Sequence, residues 1–169
     1  MTKQLIMIRH AKSDWSLPAI DDFERPLAGR GIVDCAKIGQ WLATQGCSAD
    51  CVISSSALRA WQTTEAIAYS LGISRQKIQY DGKLYLADSD DMLKIIRKQA
   101  DNCNTLLLVG HNPGMDQLLI ELTAHKLKLT ENGKLLTTAS VAMLSIPDDW
   151  KNLATHSGNI IVMMRPREL

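Results

Sequence analysis

The sequence predicts an α/β protein: a three-layer α/β/α sandwich around a mostly parallel central sheet, formed by a single domain over residues 1–169. Two observations carry this expectation. Leu5–Ile8 and Thr105–Val109 are unbroken apolar runs, the pattern of strands covered on both faces of a parallel sheet. Around them, short apolar runs alternate with stretches whose apolar residues recur at helical spacing. The resulting order is strand, loop, helix, strand, helix, strand, helix, strand, helix, strand, strand.

Composition narrows the class. A hydrophobic content of 46% and a charged content of 22% are ordinary for a globular chain able to bury a full core. Nineteen Lys and Arg against eighteen Asp and Glu leave a net charge of +1, so no global field favours nucleic acid or an acidic membrane surface. Any anion site must be local. Cys35, Cys47, Cys51 and Cys103 form no Cys-x-x-Cys pair, and no His or Cys cluster beside Cys47 and Cys51 suggests zinc, so no metal or cofactor is expected. Free thiols and the lack of a signal-peptide or membrane-spanning run make a cytoplasmic protein the expectation.

After the first strand, Ser13 to Ala28 reads as a loop rich in Asp, Pro and Ser. Gly29-Arg30-Gly31 lacks the third glycine of a dinucleotide fingerprint and does not directly follow a strand. Ile32, Cys35, Ile38, Trp41 and Leu42 then mark a helix stopped at Gly46, with Trp41 in the core. Cys51–Ile53 is a short strand ending in three serines, one of them a natural N-cap. The helix after it carries Ala57, Ala60, Trp61, Thr64, Ile67, Ala68 and Leu71 on one face up to Gly72.

Lys77–Tyr80 is a brief strand candidate, and a helix starting near Asp88 or Ser89 holds Met92, Ile95, Ile96 and Gln99 in register. Thr105–Val109 runs into Gly110-His111-Asn112-Pro113-Gly114, where Asn112 is a fitting N-cap and Pro113 a fitting first helical residue. Met115, Leu118, Leu119 and Leu122 continue that helix. Lys126 to Thr138, with Asn132-Gly133, reads as a loop or hairpin. Val141–Ile146 and Ile160–Met164 read as adjacent antiparallel strands.

The polar residues at the strand ends carry the chemistry. Arg9, His10 and Lys12 follow the first strand, and in an open α/β sheet ligands sit at that end. A guanidinium fork matches phosphate oxygens, and an imidazole can serve as nucleophile, base or acid. A buried strand with a solvated polar end would show the same residues. Arg59 falls in the first turn of its helix, where a cation opposes the macrodipole by about 0.3–1 kcal/mol unless an anion binds there. His111 repeats the setting of His10.

Together these stretches resemble the histidine phosphatase superfamily, of phosphoglycerate-mutase-like fold. Its Arg-His-Gly signature appears as Arg9-His10-Ala11. Its Ser-x-x-x-Arg-Ala-x-Gln-Thr segment appears as Ser55 to Thr63, and its Gly-His turn as Gly110-His111-Asn112-Pro113-Gly114. Small size and Arg25-Pro26-Leu27 make the chain similar to SixA-like phosphohistidine phosphatases. The resemblance implies that His10 takes the phosphoryl group covalently while Arg9, Arg59 and His111 surround its oxygens, with no metal needed. Lys12, Ser13, Trp15 and Asn112 are candidates to touch substrate.

Two departures matter. Ala11 stands for the signature glycine, a mild change unless that backbone needs positive φ. Where many relatives carry a Leu-x-Glu proton donor, Leu84-Tyr85-Leu86 ends in leucine; Asp14, Asp22 and Asp88 are the substitutes. General-acid help is worth about 10²–10⁴-fold for a poor leaving group. An imidazole, protonated near its ordinary pKa of about 6.5, needs less. The expected substrate is therefore a protein phosphohistidine, for instance on a phosphorelay domain. A small phosphate ester, or binding of phosphoproteins without turnover, are the alternatives. His125 and His156 lack motif context and read as surface or loop residues.

Overall fold

The computed structural model describes residues 2–124 and 127–169. Among these, six strands form one sheet: β1 (Lys3–Arg9), β2 (Cys51–Ser55), β3 (Ile78–Asp81), β4 (Thr105–Gly110), β5 (Val141–Ile146) and β6 (Asn159–Met164). Their order across the sheet is β3-β2-β4-β1-β5-β6, with β1 to β4 mutually parallel and β5 antiparallel to both neighbours. Alternate side chains of β1 enter opposite cores: Leu5 and Met7 on one face, Ile6 and Ile8 on the other, all four fully buried. β4 divides likewise into Leu106 and Leu108 against Leu107 and Val109. Each such side chain contributes about 1.5–3 kcal/mol on burial, which is why both strands read as apolar runs without alternation.

Helices α1 (Gly29–Thr44) and α2 (Leu58–Ser70) pack on one face through Cys35, Ile38, Leu42, Ala60 and Ile67. Helices α3 (Ser89–Ile96) and α4 (Gly114–Leu122) cover the other through Met92, Leu93, Ile96, Met115, Leu118, Leu119 and Leu122. The predicted three layers are present. At the two edges of the sheet, the expected Lys77–Tyr80 lies one residue later as β3, and the expected Ile160–Met164 starts one residue earlier as β6. No helix among the described residues is long and apolar enough to cross a membrane.

Several local expectations are corrected. Ile32 is 60% exposed because Gly31, one position earlier, occupies the contact turn of α1. Trp41 only borders its core. Trp61 is half-exposed, turned edge-on to Tyr80 at the rim of α2, while Arg59, Thr63 and Thr64 share the buried face. No serine caps α2: its N-cap is Ala57, and Ser55 Oγ instead accepts the Ala57 N–H. Asn112 does not cap α4 either; Pro113 is its N-cap, after a cis Asn112–Pro113 bond, and the Asn112 amide serves another contact. The stretch between β5 and β6 is longer than a tight turn. Trp150 within it is fully buried and donates Nε1–H to the Cys103 carbonyl at 2.6 Å. All four cysteines are free, and burial pushes the Cys35 thiol up to about 11. Gly46 ends α1 at φ 68°, as expected. His156 lies in an exposed loop, and His125 lies outside the described residues.

Gly31 joins the fold to the site. A Cβ there would meet the Lys12 carbonyl oxygen at 2.3 Å, so α1 rests directly on the backbone that follows His10. Gly31→Ala is expected to destabilise the protein by about 1–3 kcal/mol, as overpacking does, measured by urea unfolding. Wild-type stability in that variant would show that the contact relaxes without cost.

Candidate active site

The chain leaves β1 toward α1 on one face and β4 toward α4 on the other. These adjacent strands therefore diverge and open a crevice at their carboxyl ends, where ligands sit in open α/β sheets. Arg9 pairs with Gly110 across the ladder, and the His10 N–H donates to the Gly110 carbonyl at 3.0 Å. His10 and His111 thus face each other with ring centroids 4.9 Å apart. Arg59 reaches the same place from the first turn of α2, its Nε 3.4 Å from His10 Nε2. The side chains expected to converge do so.

Tautomers follow from the partners. His10 Nδ1 lies 2.8 Å from the Ala11 carbonyl oxygen, which can only accept, so the ring proton sits on Nδ1 and Nε2 keeps its lone pair. Ala11 is fully buried, needs no positive φ, and donates its N–H to Thr63 Oγ1 at 3.0 Å. His111 Nε2 lies 2.8 Å from Ser55 Oγ. That hydroxyl accepts from Ala57 and has no other acceptor for its own proton among the described residues, so the proton is assigned to Nε2, which leaves the imidazole proton of His111 on Nδ1. His111 Nδ1, Arg9 Nε and Asn112 Oδ1 are buried without a hydrogen-bond partner among the described residues. Such unpaired groups are rare in native interiors and call for an explanation; the two donors among them, on Arg9 and His111, suit an oxyanion held in front of His10 Nε2, whose lone pair meets only the long contact from Arg59 Nε, whereas Asn112 Oδ1 is an acceptor.

Burial is the largest cause that pushes His10 down to about 3, with His111, Arg59 and Arg9 adding to it. Proximity to cations, the cause the sequence suggests, comes second. His111 is pushed down to about 4, again chiefly by burial. Both rings are neutral at pH 7, so His111 contributes an N–H dipole rather than a charge.

Arg59 is held from behind. Its Nη1 donates to the Asp22 carbonyl at 2.6 Å and its Nη2 to Asp22 Oδ2 at 3.1 Å, while the ring of Tyr85 lies 5.7 Å from the guanidinium. Tyr85 donates its O–H to the same Asp22 oxygen at 2.5 Å and sets its ring edge-on to His111. The Tyr85 bond, then Arg59, hold the Asp22 carboxyl below the usual carboxylate range. Asp22 is therefore an ionised clamp, not a poised acid. Asp14 is spent on Ser16, and Asp88 caps α3 through the Asp91 N–H beside a cleft of about 200 Å³ shared with Tyr85, His111 and Gln117. Leu86, at the position where many relatives carry the acid, is 85% exposed.

The opposite wall is the loop before β5. Asp116 accepts the N–H groups of Leu135 and Leu136, and the Leu136 carbonyl accepts from Arg9 Nη1 and Asn112 Nδ2, each at 3.0 Å. Ala139, left-handed at φ 59°, points its N–H at both the Arg9 and His10 carbonyls, at 3.0 and 3.2 Å. Of the other candidates, Lys12 is exposed, Ser13 is buried in a bridge with Leu27, and Trp15 stacks 4.0 Å from the Arg25 guanidinium. Ser55, Thr63, Tyr85 and Asp116 carried no role in the sequence. Their partners lie far away in the chain, so no local spacing marks them. Among the described residues no group of three or more His, Cys, Asp or Glu side chains is placed to hold a metal.

The model of the histidine phosphatase superfamily, branch 1, matches residues 5–85. An uncharacterized protein of Mycobacterium leprae is 30% identical over 166 residues, 95% of this chain and 100% of the relative. The chain belongs to the histidine phosphatase superfamily. A structure from Nakamurella multipartitia, named as a candidate phosphohistidine phosphatase SixA, is 26% identical with a TM-score of 0.84, covering 98% of this chain and 97% of that one. The protein histidine phosphatase SixA complexed with tungstate shares the fold at 21% identity and a TM-score of 0.81, with 98% of each chain covered. So does the mycobacterial glucosyl-3-phosphoglycerate phosphatase, at 15% identity and a TM-score of 0.62, covering 96% and 98%. The phosphoglycerate-mutase-like fold and a phosphatase of this superfamily are thereby supported.

The histidine pKa values set a pH dependence of stability. Below pH 6.5 an unfolded histidine takes up a proton that His10 and His111 refuse in the fold, so stability falls as pH falls. The slope approaches about 1.4 kcal/mol per pH unit for each histidine once its unfolded form is fully protonated. Urea unfolding at pH 7, 6 and 5 is expected to show this decline, with part of it removed by His10→Gln. An unchanged slope in that variant would mean that His10 is already charged in the fold.

Proposed function

We propose that the protein removes phosphoryl groups from phosphohistidine on a partner protein, through a covalent intermediate on His10 and without need of a metal. The observation that carries this reading is the unshared pair of His10 Nε2, set among unpaired donors of Arg9 and His111 and beside Arg59 Nε. In the first step Nε2 bonds to phosphorus as the phosphorus–nitrogen bond of the substrate breaks; the electron pair leaves with the substrate imidazole, whose other ring nitrogen has already taken a proton from solvent, so that it departs as neutral imidazole. Arg9, Arg59 and the His111 N–H hold the equatorial oxygens, where charge collects in the transition state. In the second step water attacks phosphorus, the pair returns to Nε2, and phosphate departs with the remaining protons.

The ionised state of Asp22 and the exposed Leu86 favour a leaving group that needs little protonation. Likeness to structures named SixA agrees with this substrate class. The cleft beside His111, about 200 Å³, favours a second reading: a small phosphate ester whose leaving group lodges against Tyr85 and Gln117, as a metabolite phosphatase would need.

The test is turnover of a phosphohistidine peptide beside an alkyl phosphate ester. The wild type is expected to hydrolyse the peptide at least about 100-fold faster, the lower end of what an absent acid costs. His10→Ala is expected to abolish both activities. Faster turnover of the alkyl ester would sink the phosphohistidine reading, and activity surviving in His10→Ala would sink the covalent one.

A further inference from the structure

Arg9 does more than border the crevice. It also lines a groove of about 250 Å³ with Lys12, Arg30, Lys134 and Arg167, where Glu131 is the acidic residue. Charges over the whole chain nearly cancel, so this concentration of cations is local. Lys12, Lys134 and Arg167 are exposed and have no ion-pair partner among the described residues. Past Arg167 the groove meets a second hollow of about 440 Å³, where Glu131 and Glu168 offset Lys128 and Arg165 and Arg165 pairs with Glu168 at 3.5 Å. The basic track is therefore the groove itself, from the nucleophile strand out to Arg167.

We propose that this track seats the acidic residues flanking the phosphohistidine of a partner protein, an inference that rests on the phosphohistidine reading above. Three features select that occupant. The track begins at Arg9, next to His10, so chain on one side of a phosphohistidine held in the crevice enters it directly. Its cations beyond Arg9 sit on exposed, flexible stems rather than converging in a buried cradle, which suits a run of carboxylates better than one compact phosphate. No aromatic side chain lines it, so a stacking platform for nucleic-acid bases is missing. Paired opposite charges of this kind set specificity and encounter rate, and they weaken with salt.

The experiment uses the wild type and two synthetic peptides carrying phosphoryltriazolylalanine, a hydrolysis-resistant phosphohistidine mimic, flanked by Asp and Glu or by Ser and Gly. Fluorescence anisotropy at low ionic strength is expected to show at least about tenfold tighter binding of the acidic peptide, with the preference shrinking as salt rises. Lys134→Glu/Arg167→Glu is expected to erase the preference. Lys77→Glu/Lys98→Glu, the same charge change outside the groove, is expected to keep it, and circular dichroism checks that both variants are folded. Equal affinity for the two peptides overturns the proposal. So does a preference that persists in Lys134→Glu/Arg167→Glu, or tighter binding there of propane-1,3-bisphosphate or an oligothymidylate. Turnover of phosphohistidine is assayed separately: acidic preference without turnover sinks the substrate reading and leaves the track standing, while turnover without preference does the reverse.

Discussion

The hydrogen bond between His10 Nδ1 and the Ala11 carbonyl decides which nitrogen of that ring is basic. A carbonyl oxygen cannot donate, so the lone pair is confined to Nε2 and points away from the chain's own backbone. The bond in turn depends on where the Ala11 peptide sits. That peptide is fixed by Thr63 Oγ1, which accepts its N–H and donates to the Arg59 carbonyl, and by the Gly110 carbonyl, which accepts the His10 N–H. One helix and one neighbouring strand thus set the tautomer of a single side chain. Most of what the site can do follows from that placement.

The charges around this ring are arranged at a cost and offset locally. Arg9 and Arg59 lie close enough to depress each other's neighbours, and burial adds to the penalty. Asp22 neutralises the rear of Arg59 and is itself held ionised by Tyr85, so the front of the guanidinium keeps its direction without being cancelled. Donors fixed beforehand toward one point lose little in reorganising when negative charge develops there. The same clamp makes Asp22 a poor proton source, which supports the proposal of a leaving group that needs little help.

Much of the fold was legible because the strands of a covered sheet advertise themselves. Leu5–Ile8 and Thr105–Val109 are apolar without interruption since both faces are buried, and the residues just after them must then be strand ends. Arg9, His10 and His111 could be picked out because they sit at those ends, and Arg59 because it falls in the first turn of the helix after β2. Their supports could not. Ser55 with His111, Thr63 with Ala11 and Asp116 with Leu135 and Leu136 are pairs joined only by topology. Local rules favour one of Ser54, Ser55 and Ser56 as a cap for α2, without choosing among them, and β2 ends on Ser55. The structure uses it instead on an imidazole 56 residues away, and α2 goes uncapped by any side chain. Ile32 is exposed for a different reason: helical periodicity gives a stripe, but the close contact of Gly31 with Lys12 rotates which residues of α1 meet the sheet.

The bifurcated amide of Ala139 has one more consequence. On the covalent reading proposed above, His10 would take up and lose a phosphoryl group at every turnover. By gripping the carbonyls of Arg9 and His10 at once, that N–H ties the end of β1 to the start of β5. Any displacement of the imidazole would then fall on its own side-chain bonds, because the main chain beneath it is held from the loop before β5.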